Sequence, residues 1–382
     1  MTQDAEMKKV LIAFLGNASY KETTYLLDEC SYRRNLAFLP IYERFSPFET
    51  TYVIGTKDSK WDLLKDFPHI PVKIPYGRSE DEFWDIFDIL TSSVELKERE
   101  VIFDVTHCFR TIPVFVAIYI RLLKYKEPTA HLTHIFYGSY MPWEEVTPII
   151  DFAPLIGLLD WLEAVSSFSK YGELEELAGM VSASSKKAWQ GIGNQRPQKL
   201  SEFSQKLSKL SEASRLTYIP VFFELNEDLS NLLHEPQLES ELKQFAKPFS
   251  LLFQKFKDHA ERFRQKSQWR AQVEIAAWYF ESKKFAQALS VLREAIITFE
   301  CEKKGCELLG VERRESIAKQ LSRQIRRSNK PLIKLWGRVT EERNRVAHAL
   351  MSGRDKTISP MRRGPIIKRL IGETQKLLGD LE

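Results

Sequence analysis

Residues 100–111 read EVIFDVTHCFRT, and the fold class turns on this stretch. Its first seven residues form a short apolar run rich in β-branched and aromatic side chains, the mark of a buried strand. Residues 109–125 then read as a long apolar helix. A strand passing directly into a helix is half of a βαβ unit. Working outward, KKVLIAFLG (8–16) is a second buried strand stopped by Gly16, and TYVIGT (51–56) is a third. Residues 70–75, 132–137 and 146–152 read as further strands, and 33–45, 59–67 and 79–94 as helices. The last opens on Ser79 with Glu82 three residues on, a capping box. Residues 21–25 read as a short extended segment. Strands alternating with helices predict an α/β, Rossmann-like domain with a mostly parallel sheet over about 7–152.

Such sheets bind ligands beyond the C-terminal ends of their strands. Two of those ends carry suitable groups. One is Gly16, Asn17, Ala18, Ser19 and Tyr20; the other is Thr106, His107, Cys108, Phe109, Arg110 and Thr111. At the second, a helix N-terminus offers free N–H groups and the positive end of its dipole to a phosphate. Arg110 could clamp that phosphate bidentately, with hydroxyls from Thr106 and Thr111. No G-x-G-x-x-G and no Walker A motif is present. Residues 1–160 hold 17 Lys+Arg against 24 Asp+Glu, a net of −7. That charge suits a small, defined phosphorylated ligand better than a polyanion.

After residue 152 the character changes. Residues 154–171 read as an apolar connector helix, and no convincing strand follows. Helical patterns cover 173–182, 199–214, 216–234, 237–258, 260–281, 284–304, 312–327, 330–352 and 360–380, with loops at 191–197 and 352–360. The second half is therefore expected to be an all-α domain. It is also basic: residues 161–382 carry a net of +11, and 313–369 alone hold 17 basic and 4 acidic residues. Such asymmetry points to a polyanionic partner.

Within the basic stretch lies RVTEERNRVAHALMSG (338–353), read as a helix with Gly353 as its stop. Asn344 and His348 are four apart and share a face, whereas Arg343 and His348 diverge by about 140° on an ideal helix. The long Arg343 side chain, or a second copy of the helix, could bring guanidinium and imidazole together. The trio suits metal-independent RNA cleavage, since RNA carries its own nucleophile, the 2′-OH. A His exchanges protons near neutral pH. An Arg offers a fork of donors to phosphate oxygens, and an Asn adds a neutral donor that orients either. A solvated helix face would show the same spacing, so the trio gains weight only from its setting.

The remaining composition is that of an ordinary globular protein, 43% hydrophobic and 28% charged. No apolar run approaches the ~20 residues of a membrane span. The start, MTQDAEMKKVLIAFLG, lacks a signal-peptide pattern. A cytoplasmic protein with no membrane partner is expected. Cys30, Cys108, Cys301 and Cys306 offer at most a weak zinc pairing in Cys301–Cys306, and are read as thiols with no metal.

Taken together, FLGNASYKETTY at the first strand end, DVTHCFRTIP at the second, and Arg343-Asn344-Arg345-Val346-Ala347-His348 resemble one family. These are the CRISPR-associated ribonucleases of type III systems that join an N-terminal CARF domain to a C-terminal HEPN domain. DVTHCFRTIP is similar to the family's second ligand segment, and the 343–348 motif fits the R-x4–6-H signature in its R-N-x3-H form. The resemblance covers nearly the whole chain. It implies a CARF domain over 1–152, a connector over 153–171 and a helical HEPN domain over 172–382. Residues 183–260 match no motif and are read as a family-specific insertion. It implies a cyclic oligoadenylate activator, tetraadenylate ahead of hexaadenylate, held by Gly16, Asn17, Ala18, Ser19, Thr106, His107 and Arg110. It also implies a homodimer or larger assembly in which paired Arg343, Asn344 and His348 cut single-stranded RNA, leaving a 2′,3′-cyclic phosphate, with no cofactor. A ligand-gated transcription regulator with the same sensor, or a non-catalytic adaptor, would share the first half of this pattern.

Overall fold

The computed structural model describes residues 7–109, 111–190, 196–265, 267–351 and 362–382. The chain divides into two compact units, Met1–Leu159 and Asp160–Glu382.

The first unit is built on one eight-stranded sheet: β1 (Lys8–Leu15), β2 (Thr23–Leu27), β3 (Cys30–Arg34), β4 (Thr50–Gly55), β5 (Ile70–Lys73), β6 (Arg99–Asp104), β7 (His131–Gly138) and β8 (Val146–Asp151). The spatial order is β3-β2-β8-β7-β6-β1-β4-β5. Among the described residues, five of the seven pairings are parallel, and β2–β3 and β7–β8 are antiparallel. Side chains alternate across the sheet. Val10, Ile12, Phe14, Val101 and Phe103 enter one core with helices α2 (Glu80–Ser93) and α3 (Ile112–Lys126). Leu11, Ala13, Leu15 and Ile102 enter another with α1 (Phe38–Phe45). A central sheet covered on both faces is the α/β architecture read from the alternation.

Parallel pairing gathers the C-terminal ends of β1, β4, β5, β6 and β7 at one edge. The antiparallel partners return there too, bringing residues 34–37 and the β7–β8 connection to the same rim.

Local departures from the sequence reading have local causes. The helix expected over 33–45 starts only at Phe38, because Cys30–Arg34 is a strand. It pairs with β2 through a two-residue turn whose Asp28 (φ 49) and Glu29 (φ 64) occupy the left-handed region. A hairpin turn of this kind normally announces itself with Asn-Gly or Asp-Gly; here no glycine marks it. The helix expected over 59–67 is only a 3-10 turn, Trp61–Leu64. The Ser59 hydroxyl donates to the Leu15 carbonyl at 2.6 Å and accepts from the Thr56 N–H at 2.9 Å, pinning that segment to the sheet. The capping box forms in part: Glu82 N–H donates to Ser79 Oγ at 3.2 Å, but the Glu82 carboxylate accepts from Arg78 N–H, not from Ser79.

The second unit holds no strand among the described residues. Helix α4 (Ala153–Tyr171) contains the boundary between units. Then follow α5 (Glu175–Gln190), α6 (Gln198–Leu216), α7 (Ile219–Leu233), α8 (Pro236–Phe245), α9 (Lys247–Ser250), α10 (Phe253–Glu261), α11 (Gln268–Glu281), α12 (Phe285–Lys303), α13 (Val311–Gln324), α14 (Pro331–Ala347) and α15 (Arg363–Leu381). The single helix expected over 237–258 breaks into three. Pro248, in the first turn of α9, lacks the N–H that would continue the α8 ladder. Helix α12 is the centrepiece of the C-terminal half and packs against α11, α13, α14 and α15. Trp336 of α14 is fully buried there, its Nε1 donating to Ser322 Oγ at 3.1 Å and its ring covered by Arg293. Of the thiols, Cys301 alone is buried; Cys108 and Cys306 are half-buried and Cys30 is exposed.

Candidate functional site

Helix α14 presents the Arg–His motif at its C-terminal end. The helix is shorter than expected: it stops at Ala347, so His348 is its cap, not an interior residue. Gly353, the expected stop, lies outside the described residues. Termination is achieved instead by Ala349 (φ 51) and Leu350 (φ 57), both left-handed without being glycine. Their N–H groups bond back to Val346 at 3.0 Å and Arg345 at 2.9 Å, closing the helix end. Two consecutive non-glycine residues in this conformation store strain on the order of 1–3 kcal/mol each, directly beside the histidine.

Asn344 ties the motif together. Its carbonyl accepts the His348 N–H at 3.0 Å, and its Oδ1 accepts from Arg343 Nη1 at 3.2 Å. Asn344 and His348 are exposed, and Arg343 is half-buried. Arg343 Nε is buried and has no acceptor among the described residues. Arg343, with an unengaged buried donor, and the exposed His348 thus both lie in the last turn and cap of one helix. Nearby in sequence, Arg323, Arg326, Arg327, Lys330, Lys334 and Arg338 are exposed.

Behind the motif lies an interaction the sequence reading missed. Glu342 is 4% exposed and accepts from Arg363 Nη1 at 2.7 Å; Arg363, at the start of α15, is itself 6% exposed. The other Glu342 oxygen accepts from Arg345 Nη1 at 3.4 Å. Arg345 sits inside the motif, so a buried carboxylate links the motif helix to α15. The available signal was weak, since Glu342 is one of four acidic residues among seventeen basic ones in 313–369.

The rim at the strand ends of the first unit is organised around Asp104. Its Oδ1 accepts the Thr106 N–H at 3.2 Å and the Thr106 hydroxyl at 2.5 Å. Oδ2 is buried with no partner among the described residues. Burial pushes the carboxyl up to about 7, against the lowering effect of the Thr106 hydrogen bonds. The Thr106 oxygen also accepts the Gly138 N–H at 2.7 Å, stitching β6 to β7. His107 Nε2 accepts the Ala37 N–H at 3.0 Å, and its ring packs edge-on against Tyr20 at 4.5 Å. An imidazole used as an acceptor must stay neutral, and burial lowers its pKa to about 4. Thr106 and His107 thus hold the rim together from within.

Gly16 is placed the same way. Its N–H donates to the Tyr20 hydroxyl at 2.9 Å and its carbonyl accepts from Lys60 at 3.1 Å. An added Cβ would lie 2.9 Å from the His107 carbonyl oxygen, so glycine is required by close approach. Asn17, Ala18 and Ser19 are exposed on the rim. Arg110 lies outside the described residues. Helix α3 begins at Ile112, three residues later than expected, with Thr111 exposed before it. A second basic group was not foreseen: Arg78, exposed, lies over the Tyr76 ring at 4.5 Å, and Tyr76 packs on Phe109.

Among the described residues, no three His, Cys, Asp or Glu side chains are placed to hold a metal ion, and no helix is long and apolar enough to cross a membrane. Two cavities of about 490 and 510 Å³ flank Arg314, and neither is lined by Arg343, Asn344 or His348.

Comparison with known proteins adds a family context. Residues 157–267 match the family described as CRISPR-associated protein MJ1674, second domain. The chain is similar to the CRISPR-associated protein MJ1674 of Methanocaldococcus jannaschii, 26% identical over 233 residues, or 60% of this chain. It spans about a third of that relative's length, 33%. The matched domain lies upstream of the Arg343–His348 motif and downstream of the β-sheet rim.

Proposed function

We propose that the chain is a cyclic oligoadenylate-activated endoribonuclease of type III CRISPR defence, cutting single-stranded RNA without a metal. The observation that carries the reading is the α14 terminus. Arg343 with an unengaged donor, Asn344 accepting from it, and an exposed His348 fall within the last turn and cap of one helix in a basic stretch.

In this reading the RNA 2′-oxygen attacks the adjacent phosphorus and the 5′-oxygen leaves, giving a 2′,3′-cyclic phosphate and a 5′-hydroxyl. One His348 takes the proton from the 2′-OH and another protonates the departing 5′-oxygen. Arg343 donates to the phosphorane oxygens, where charge accumulates. Two histidines require two copies of the helix, so the working unit is a homodimer. The activator sits at the β-sheet rim of the first unit, and its preference for one dimer arrangement biases the paired helices toward a competent geometry.

The test is incubation with labelled single-stranded RNA in EDTA, with and without cyclic tetraadenylate. Cleavage only with the activator supports the reading. A shift of duplex DNA with no cleavage would instead favour a ligand-gated regulator, for which the basic α13 and α14 would serve as the reading helices.

A further inference from the structure

The rim described above carries a third segment that no motif marks. The β7–β8 connection, residues 139–145, reads SYMPWEE. It leaves the sheet at the same edge as the ends of β1 and β6, because β7 runs parallel to β6. The connection is ordered by its own backbone: Ser139 N–H donates to the Pro148 carbonyl at 2.9 Å, Tyr140 to Gly138 at 3.0 Å, and Glu144 to Met141 at 3.1 Å. Its base is locked to the Asp104 network through Gly138 N–H and Thr106 Oγ1. A Cβ at Gly138 would sit 3.2 Å from the Thr106 methyl and 3.3 Å from the Tyr25 ring, so the hairpin is seated directly on the rim.

On this fixed platform Trp143 is 77% exposed and Tyr140 is 52% exposed. Neither ring is used by the core of its unit. Glu144 and Glu145, also exposed, stand beside them. The carboxylates repel phosphate, so the hairpin is not the part of the rim that meets a ligand's backbone. They can accept hydrogen bonds from an exocyclic amino group, and the rings offer flat faces. Aromatic face and carboxylate together fit an aminated purine.

We propose that the β7–β8 hairpin is a base-stacking subsite, in which Trp143 and Tyr140 cover adenine faces and the Glu144–Glu145 pair accepts from the amino edge. The proposal rests on reading the first unit as a cyclic oligoadenylate sensor and says which part of it reads the base. Phosphate recognition is left to the exposed 17–19 segment and Arg78.

The test measures binding of cyclic oligoadenylates of three to six nucleotides to the full chain, alongside cyclic oligouridylates of the same ring sizes. Trp143→Ala and Tyr140→Ala should each weaken adenylate binding tenfold or more, the scale of losing one base stack. Trp143→Phe should recover most of the loss. Uridylate rings, which stack poorly, should bind the parent chain weakly and change little in the alanine variants. Unchanged adenylate affinity in both alanine variants overturns the subsite while leaving the sensor reading in place. An equal loss for both ring types assigns the hairpin to the fold alone and also overturns it. A parent chain that binds none of the rings removes the subsite and the sensor together.

Discussion

In the proposed function the chemistry depends on His348, and the exposure of this residue makes its substitution clean. His348→Ala removes no core packing, so thermal unfolding should be unchanged while activated RNA cleavage falls at least a hundredfold. Retained cleavage would remove the residue from the mechanism. Asp104 and His107 make a second, opposite pair of expectations. Folded His107 titrates at about 4 and the unfolded side chain at 6.5, so below pH 6.5 the unfolded chain takes up a proton the folded chain refuses. Stability from this group therefore falls as pH drops from 6.5 to about 4. Folded Asp104 holds its proton up to about 7 and the unfolded side chain only to 3.8, so its contribution falls as pH rises through that window. The effects are on the order of 3 kcal/mol for His107 and 4 kcal/mol for Asp104, and they oppose. In the parent chain these two effects partly cancel between pH 4 and 7. Asp104→Asn should leave stability rising with pH over that range; a profile identical to the parent would contradict the assignment. Gly16→Ala, which drives a methyl against the His107 carbonyl, should cost about 1–3 kcal/mol.

At the level of elements, the Glu342–Arg363 pair joins α14 to α15 behind the motif. Glu342→Ala removes a buried carboxylate that accepts from both Arg363 and Arg345 and should destabilise the second unit by about 1–3 kcal/mol. Replacing both partners by apolar residues, Glu342→Leu with Arg363→Met, should recover most of that loss in urea unfolding. A double variant as unstable as the single one would argue against a paired buried charge. These elements also show what the sequence makes legible. The β1, β4, β6 and β7 cores were plain because apolar runs between polar flanks leave few alternatives. The α14 register was plain from the spacing of its apolar residues. Its end was not, because Ala349 and Leu350 take a conformation normally signalled by glycine. The β2–β3 hairpin was hidden for the same reason at Asp28 and Glu29. At the rim, the sequence names candidate residues but not their orientation. Whether Thr106 faces a ligand or the Gly138 N–H depends on a neighbouring strand thirty-two residues away, and no local pattern carries that. The exposed Tyr140 and Trp143 were missed because exposure is a tertiary property.

For the whole molecule, charge separates the two units as their proposed tasks require. The first carries a net of −7 over residues 1–160, fit for a small ligand, and the second +11 over 161–382, fit for RNA. RNA affinity should accordingly fall with salt. Contact with about four phosphates on a single strand implies a loss of about fiftyfold between 50 and 200 mM, and affinity indifferent to salt would contradict a polyanion substrate. Activation should depend on both units in one chain if, as proposed, the ligand acts through a dimer that pairs the α14 ends. The most direct test of the central claim is the chemistry of the product ends. Single-stranded RNA is incubated with activated parent chain and with His348→Ala, both in EDTA. The expected result is 2′,3′-cyclic phosphate and 5′-hydroxyl ends from the parent chain and no product from the variant. Cleavage surviving in the variant, or 3′-hydroxyl and 5′-phosphate ends from the parent chain, would contradict it.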